Sequence, residues 1–178
     1  MGAETRIEIS SFAGNDIMSC VSELAALIHA CVHDGASIGY ILPFSMVEAE
    51  AFWMKKVLPA VEDGTRVLLV ARSATQIVGS VQLDHDTPPN QPHRAEVRKL
   101  MVHPGFRRQG IARLLMAKIE DRARQLPRSL LTLDTRSGDA AEPLYASLGY
   151  VTVGQVPGYC LDPFRQQFDA TTIMYKVL

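Results

Sequence analysis

The stretch Val102–Met116, VHPGFRRQGIARLLM, runs from an apolar segment through a tight turn into an amphipathic helix. A helix N-terminus presents unpaired N–H groups and the positive end of the helix dipole. Gly110 and Ala112 carry little or no side chain, so a ligand can approach the backbone there. Three arginines add positive charge. The stretch therefore predicts a diphosphate cradle formed by Arg107, Arg108, Gln109, Gly110, Ile111, Ala112 and Arg113.

Two commoner phosphate-binding loops are absent from the sequence. No G-x-x-x-x-G-K-S/T pattern occurs, which argues against a nucleoside triphosphatase, and no G-x-G-x-x-G follows a predicted strand, which argues against a dinucleotide site. The predicted cradle is therefore of another kind.

The segments before the cradle predict strands and two helices. Asn15 or Asp16 can cap a first helix, and Ser45 with Glu48 three residues later is typical of a capping box that begins a second. The glycine-bearing loop DGASIGY (34–40) separates these helices. The predicted strands are Arg6–Ser10, a hairpin of Arg66–Ala71 and Ile77–Leu83, and Glu96–Val102, with a proline-rich loop at Asp84–His93.

The segments after the cradle helix complete the pattern. Leu130–Asp134 predicts a short buried strand, and Asp139 with Glu142 predicts a capping box at the start of a last helix. Gly149 is expected to end that helix. The remaining segments are predicted as strand Tyr150–Val156, loop Pro157–Ala170 and strand Thr171–Val177.

The order of these segments predicts an α+β fold of layered α/β type. We expect a mixed, mainly antiparallel central sheet of about six to seven strands, flanked by about four helices. The chain has 178 residues and no internal repeat, so a single domain over residues 1–178 is expected.

Composition and charge argue against several classes. The formal net charge is −1, which gives no support to nucleic-acid binding. No apolar run is long enough to predict a membrane span, and the polar N-terminus predicts a cytoplasmic location. The cysteines and histidines lack ligand spacing, so no metal site is predicted.

Two motifs in order resemble the GNAT superfamily of N-acetyltransferases. The signature V-x-P-x-x-R-x-x-G-x-G/A is matched by Val102, Pro104, Arg107, Gly110 and Ala112. A second landmark, Y-x-x-L-G-F/Y, is matched by Tyr145-Ala146-Ser147-Leu148-Gly149-Tyr150. The resemblance covers nearly the whole chain. It implies an enzyme that uses acetyl-CoA as co-substrate and needs no metal.

Further runs resemble a narrower group, the tabtoxin-resistance acetyltransferases, which acetylate a small β-lactam toxin. The resemblance is carried by RAEVxKLMV at Arg94–Val102, LDT at Leu133–Thr135, PGYC at Pro157–Cys160 and the DGASIGY loop. It implies that Glu96 and Asp134 lie at the acceptor site, where either carboxylate can serve as general base.

The wider resemblance implies three further roles. Tyr145 matches the tyrosine that protonates the leaving thiolate. The backbone at Leu100, Met101 and Val102 is expected to bind the pantetheine arm and to supply an N–H for the oxyanion. Many members carry Asn seven residues before the tyrosine; Gly138 stands there in this chain, so its cofactor contact is expected to be missing or made by backbone, with help from Ser137.

Structural alternatives remain open for each of these side chains. Asp134 could instead cap a helix or pair with Arg136, and Glu96 could pair with Arg98 or Lys99. Tyr145 could be a core aromatic. Phe52 and Trp53, in the second predicted helix, are expected to pack in the core rather than line a pocket.

The acceptor is expected to be a small-molecule amine resembling an amino acid, a dipeptide or a toxin. Tyr40, at the end of the DGASIGY loop, and Tyr159, in the predicted loop Pro157–Ala170, are the predicted substrate-binding side chains. The alternatives are acetylation of a protein N-terminus or lysine, a CoA-binding module without catalysis, and nucleic-acid binding by the arginine-rich helix. A homodimer that pairs C-terminal strands is a further expectation.

Overall fold

The computed structural model describes residues 6–164 and 166–178. Seven strands occur within these residues: β1 (Ile7–Phe12), β2 (Arg66–Ser73), β3 (Gln76–Asp84), β4 (Arg94–Val102), β5 (Leu130–Arg136), β6 (Val151–Leu161) and β7 (Phe168–Val177). The α-helices described are α1 (Gly14–Ser19), α2 (Val21–His33), α3 (Met46–Phe52), α4 (Leu58–Glu62), α5 (Ile111–Gln125) and α6 (Ala141–Ser147).

The strands form one sheet in the order β1-β2-β3-β4-β5-β7-β6. All neighbours pair antiparallel except β4 and β5, which run parallel. The hairpin β2–β3 and the loop that precedes β4 are as predicted. The predicted α+β fold with a mainly antiparallel sheet is thus confirmed.

Helices cover both faces of the sheet. Helices α1 to α4 bury one core, centred on Trp53, Leu24 and Leu68. Helix α5 and the base of α6 bury a second core on the opposite face, which includes Ile119 and Leu131. Trp53 is fully buried, as expected for a core residue, whereas Phe52, although nearly buried, also lines a cavity.

The first predicted helix is interrupted. Helix α1 ends at Ser19 and α2 begins at Val21, with Cys20 between them in a non-helical conformation. The prediction that Asn15 or Asp16 caps the helix was wrong, because the N-cap is Ala13. The Asp16 carboxylate instead accepts a hydrogen bond from the Ala13 N–H at 2.9 Å.

The second predicted helix begins as expected. Ser45 Oγ accepts a hydrogen bond from the Glu48 N–H at 3.2 Å, and Glu48 Oε2 accepts one from the Ser45 N–H at 2.8 Å. Helix α3 then passes through a π turn at Trp53–Val57 and continues as α4. Such a turn shifts the helical register, and π turns are frequent at functional sites.

The C-terminal hairpin differs from its prediction. Strand β6 continues to Leu161, so most of the segment Pro157–Ala170, predicted as a loop, is strand. The pairing of β6 with β7 skips between Val156 and Cys160, which gives Pro157 room in a bulge at the sheet edge.

Strand β4 contains a bulge. Met101 pairs with Ser80 and Arg98 with Gln82, so both Lys99 and Leu100 stand opposite Val81. Lys99 has φ of 52°, in the left-handed region. The extra residue shifts the alternation of the strand, so Arg98 and Met101, three positions apart, face the same side of the sheet.

Candidate active site

The turn before α5 has the backbone expected of an anion cradle. Gly110 is the N-cap with φ of 80°, and a β-carbon at this position would meet no atom within 4 Å. Leu114 is the first residue of the helix whose N–H is bonded back, to the Gly110 carbonyl at 3.1 Å. The N–H groups of the first turn are therefore available to a ligand in front of Gly110.

The arginines of the cradle do not all face this opening. Arg107 forms an ion pair with Asp34 at the end of α2 and approaches the Val102 carbonyl at 3.4 Å. Arg113 donates a hydrogen bond to Ser147 Oγ on α6 at 2.8 Å. Arg108, with φ of 64°, is exposed. The backbone of the turn, more than its side-chain charge, thus defines the anion site.

Strands β4 and β5 separate beside this cradle. Their parallel pairing ends at Glu96 and Thr132, although β4 continues to Val102 and β5 to Arg136. The opening between them exposes main-chain groups of β4 at the predicted pantetheine-binding segment Leu100, Met101 and Val102. An extended chain of the length of pantetheine can lie there as an added strand would.

A cavity of about 330 Å³ lies at the separated strands and brings together the three predicted catalytic side chains. Glu96 from β4, Asp134 from β5 and Tyr145 from α6 all line it, together with Leu100. We call it the carboxylate cavity. Its walls also include the loop Ala36–Gly39 and, from β6, Tyr159 and Cys160.

Glu96 is only loosely held by its neighbours. Its Oε1 lies 3.6 Å from Arg98 Nε, beyond hydrogen-bonding distance, and Arg98 is bonded more closely to Asp84 at 3.1 Å. The alternative pairing of Glu96 with Arg98 is thus present as a long ion pair. The carboxylate remains open to the cavity.

Asp134 has neither of the structural roles considered as alternatives. Arg136 pairs instead with Asp139 and with the buried Asp162, at 3.0 Å each. Asp134 Oδ2 accepts a hydrogen bond from Thr171 Oγ at 3.0 Å. The carboxylate is exposed to the cavity and held by the neighbouring strand.

The same contacts show that the predicted capping box at Asp139 was wrong. The N-cap of α6 is Ala140 with no side-chain cap, because the Asp139 carboxylate is engaged by Arg136. Glu142 Oε2 accepts a hydrogen bond from the Gly138 N–H at 2.8 Å. The capping pattern was overridden by the ion pair with Arg136, three residues away, which also binds the distant Asp162.

Tyr145 is both a core aromatic and a cavity residue. Its ring packs edge-on against Tyr150 at 5.7 Å between centroids, and its side chain is almost fully buried. Burial, with a smaller contribution from the negative charge of Asp134, raises the pKa of Tyr145 well above its usual value. The phenol therefore stays protonated at neutral pH and can donate a proton.

The two predicted substrate-binding tyrosines lie in different places. Tyr159 projects from β6 into the carboxylate cavity. Tyr40 instead lines a neighbouring cavity and packs against Phe44 and Phe52. The DGASIGY loop forms a wall as expected, held to β6 by a contact of 3.3 Å between Ser37 Oγ and Cys160 Sγ.

Gly138 offers less to a ligand than its position in the motif implies. Its φ of 82° and open surroundings are compatible with a close approach, but its N–H is already bonded to Glu142. Ser137 Oγ lies 2.8 Å from Thr172 Oγ and is likewise engaged. A cofactor contact at Gly138 therefore stays a prediction.

Three polar residues beside the cavity were not predicted as site residues. Lys99 lines the cavity from the β4 bulge, and Thr171 holds Asp134. Arg136 donates a hydrogen bond to the Gly35 carbonyl at 3.1 Å and also pairs with Asp139 and Asp162. The sequence named Lys99 only as a potential partner of Glu96, and no local pattern signals a bulge at that point.

No group of three or more His, Cys, Asp or Glu side chains in the described part of the chain is arranged to hold a metal ion. No helix among the described residues combines the length and apolarity that a bilayer crossing requires.

Comparison with known proteins identifies the fold and the family. The family model described as an acetyltransferase (GNAT) domain matches residues 40–157. The chain belongs to this family. The matched region contains the cradle, the separated strands and all three predicted catalytic residues of the GNAT site.

A curated relative supports the assignment. An uncharacterized N-acetyltransferase from the hisH-hisA intergenic region of Azospirillum brasilense is 33% identical over 114 residues, which cover 63% of this chain. The chain spans 66% of the length of that protein and 59% of a second curated relative, an acetyltransferase of Pectobacterium atrosepticum.

Solved structures of the GNAT type share the fold. A ribosomal-protein-alanine N-acetyltransferase from Brucella melitensis is similar with a TM-score of 0.77 at 22% identity, covering 96% of this chain and 99% of the other. The protein yncA from Salmonella typhimurium, solved with its cofactor acetyl-CoA, has a TM-score of 0.74 at 18% identity, covering 97% and 94%.

Proposed function

We propose that this GNAT domain transfers an acetyl group from acetyl-CoA to the amine of a small molecule. The observation that carries the proposal is the convergence of Glu96, Asp134 and Tyr145 on one cavity at the separated strands. That cavity adjoins the part of β4 that leads to the cradle at Gly110. A donor held by the cradle would thus direct its reactive end toward acids and bases.

The residues present fit acetyl-CoA. The diphosphate matches the free N–H groups of the first turn of α5, and the space in front of Gly110 admits it without side-chain contact. The gap between β4 and β5 leaves main-chain groups for the amides of pantetheine. Bound there, acetyl-CoA supplies the activated thioester. The related Salmonella protein was solved with acetyl-CoA.

The acceptor amine must lose a proton before it can attack. An alkyl ammonium with a pKa near 10.4 is neutral in only about one part in 2,500 at pH 7, a handicap of about 4.6 kcal/mol. Glu96 or Asp134 takes that proton, directly or through a water molecule. Both carboxylates line the cavity, and neither is enclosed by an arginine.

The transfer then proceeds by direct attack. The amine nitrogen forms a bond to the thioester carbonyl carbon, the carbon–sulfur bond breaks, and the nitrogen gives up its second proton to water, from which the phenol of Tyr145 is reprotonated after the transfer. An N–H of the Leu100–Val102 segment stabilises the oxyanion. Tyr145 donates its phenolic proton to the leaving thiolate, and its raised pKa keeps that proton available.

The proposed acceptor is a small molecule resembling an amino acid, a dipeptide or a toxin. The cavity is walled by the loop Ala36–Gly39 and by Tyr159, which favours a compact ligand. The resemblance to the tabtoxin-resistance acetyltransferases supports the same class and remains part of the proposal. Protein N-termini or lysines are the alternative acceptors; the Brucella structure is described as a ribosomal-protein-alanine N-acetyltransferase. A cytoplasmic location also stays a prediction.

We also propose that the chain forms a homodimer through the edge strand β6. Val151 and Val153 lie on this strand, and both are more than half exposed. Ile173 on the neighbouring β7 is exposed as well, and register places it beside Gly154. A second copy of the chain would cover these apolar side chains. It would also pair with the backbone N–H and C=O groups that an edge strand leaves unpaired.

Two measurements test the proposed function. Calorimetry with acetyl-CoA should show binding in the micromolar range, and absence of binding would exclude the donor. A screen of amines, amino acids, dipeptides and N-terminal peptides for release of free CoA then identifies the acceptor. If only peptides were acetylated, the acceptor would be a protein and not a small molecule. If acetyl-CoA bound but no amine were acetylated, the chain would be a CoA-binding module without catalysis.

A further inference from the structure

A second cavity of about 290 Å³ adjoins the carboxylate cavity. Residues Ile38, Gly39, Arg98 and Lys99 line both. The charged and amide side chains that line the second cavity are Lys56, Arg66, Gln82, Arg98 and Lys99, and none of the described residues in its lining is acidic. We call it the cationic cavity. Aromatic walls are provided by Tyr40 and Phe52.

The positive charge of the cationic cavity is only partly compensated. Arg66 and Arg98 share one carboxylate, that of Asp84, at 2.7 and 3.1 Å. Arg98 also has the long contact with Glu96. Lys56 and Lys99 form no ion pair with any described residue, so an excess of positive charge faces the cavity.

A buried donor in the same cavity lacks a partner. Gln82 is 1% exposed, and its Nε2 finds no hydrogen-bond acceptor among the described residues. Its Oε1 lies 3.4 Å from Arg66 Nη1, which fixes the orientation of the amide. A buried donor without a partner destabilises the protein, and an anionic ligand that accepts a hydrogen bond from it would remove that penalty.

The bulge in β4 places the charge of Lys99 between the two cavities. Lys99 Nζ lies against the backbone of Gly39, 3.3 Å from the point where a β-carbon would stand. Burial, reinforced by the positive charge of Arg98, lowers the pKa of Lys99. An anion beside the ammonium would offset this penalty, because it favours the charged form.

The π turn brings Lys56 to the other side of the cationic cavity. Lys56 lies within the turn Trp53–Val57, whereas its neighbour Lys55 lines none of the described cavities. Of the two adjacent lysines in this turn, Lys56 is thus the one that faces the cationic cavity.

We propose that the acceptor carries a carboxylate in addition to its amine, and that Lys99, Lys56 and Gln82 bind this carboxylate in the cationic cavity. The inference rests on the proposed function, since it assumes that the amine is held by Glu96 and Asp134 in the carboxylate cavity. The acceptors are thus amino acids or short peptides with a free carboxylate. Simple alkylamines lack the second contact.

The test compares ω-amino acids, from glycine to aminohexanoate, with their neutral amides as acceptors in the CoA-release assay. For the chain length that spans the two cavities, kcat/KM should be about ten- to a hundred-fold higher for the acid than for the amide. Lys99→Met and Lys56→Met should reduce this ratio toward one, and Lys55→Met, which removes the same charge from the same turn, should preserve it. Equal acid and amide rates in the unaltered protein would overturn the inference.

A binding measurement separates this inference from the proposed function. If no amine is acetylated, the proposed function fails, and calorimetric titration with aminopentanoate and its amide still tests the cavity. Tighter binding of the acid supports the inference; equal binding, or binding of neither, contradicts it. Phosphoethanolamine is tested as well, because its phosphate could be bound by the same lysines and amide as a carboxylate. Its preference over every ω-amino acid would overturn the assignment to a carboxylate.

Discussion

Thr171 on β7 donates a hydrogen bond from its buried hydroxyl to Asp134 Oδ2 on β5, at 3.0 Å. The same hydroxyl lies 3.0 Å from the Thr135 carbonyl, so its one proton is shared between two acceptors. The contact orients the carboxylate at the rim of the cavity. Thr171 is accordingly a positioning residue for Asp134.

Substitution of the two carboxylates should identify the base. We expect Asp134→Asn or Glu96→Gln to lower kcat by about 10²–10⁴-fold for whichever group accepts the proton, with a smaller effect for the other. Steady-state rates of CoA release, with acetyl-CoA affinity as the control, measure the difference. Unchanged kcat in both variants would remove the carboxylates from the mechanism.

The positioning role of Thr171 predicts a graded response. Thr171→Val removes the hydrogen bond to Asp134 and should lower kcat several-fold, less than Asp134→Asn does, while Thr171→Ser retains the hydroxyl and should restore the rate. The thermal stabilities of the two variants should be compared, because a merely structural role would predict a stability loss without any effect on kcat.

Tyr145→Phe should separate catalysis from binding. The substitution removes only a hydroxyl from a buried ring, so we expect the acetyl-CoA affinity to change little. Turnover should fall by about 10²-fold or more, because the thiolate loses its proton donor. Calorimetry and CoA-release kinetics provide the two readouts. A variant with the turnover of the unaltered protein would show that Tyr145 is a packing residue.

Much of this fold could be predicted because its signals are local. The capping box at Ser45 and the alternation in β2 and β3 both depend on neighbouring residues. The cradle before Ile111 is likewise encoded by contiguous glycine, alanine and helix-forming residues. Strand, turn and helix therefore lie close to where the sequence placed them.

The differences arise where distant residues decide the structure. Strand β6 continues past Pro157 because β7 offers a partner and the sheet edge tolerates a bulge. Asp139 leaves its capping role because it pairs with Arg136, which the distant Asp162, just after β6, also binds. Lys99 enters the site through a register shift against Val81. None of these long-range pairings has a signature in the local sequence.

Stability should decline at alkaline pH because of buried tyrosines. Burial raises the pKa of Tyr145 and, with Glu120 nearby, also that of Tyr150. In the unfolded chain the pKa of each tyrosine is about 10, and below this pH the stabilising contribution of the buried phenols is fully present. Above it the contribution declines, because the unfolded chain loses the phenolic protons at a lower pH than the folded protein does. Each should contribute a slope of about 1.4 kcal/mol per pH unit.

Urea denaturation at several pH values between about 8 and 11 measures this slope. The double variant Tyr145→Phe, Tyr150→Phe should show a much weaker pH dependence, whereas Tyr159→Phe, at an exposed position, should behave like the unaltered protein. Equal slopes in all three proteins would contradict the assignment to the buried pair.

The proposed dimer can be tested at its edge strand. Val153→Glu introduces a charge into the apolar edge of β6 and should shift the protein to a monomer in analytical ultracentrifugation. Val47→Glu, at a still more exposed valine on α3, is the matched control and should leave the association state unchanged. A monomeric unaltered protein at micromolar concentration would exclude the dimer.

Gly110 and Gly64 form a matched pair for testing the cradle. Both have positive φ, 80° and 76°, and a β-carbon at either would meet no atom within 4 Å. Replacement by alanine should therefore cost each protein a similar amount of stability, about 1–2 kcal/mol. Only Gly110→Ala places a methyl group where the diphosphate is proposed to lie, so it alone should weaken acetyl-CoA binding, by about ten-fold or more in calorimetry. If Gly64→Ala weakened binding to the same extent, the loss would come from general destabilisation, and the turn before α5 would not be the anion site.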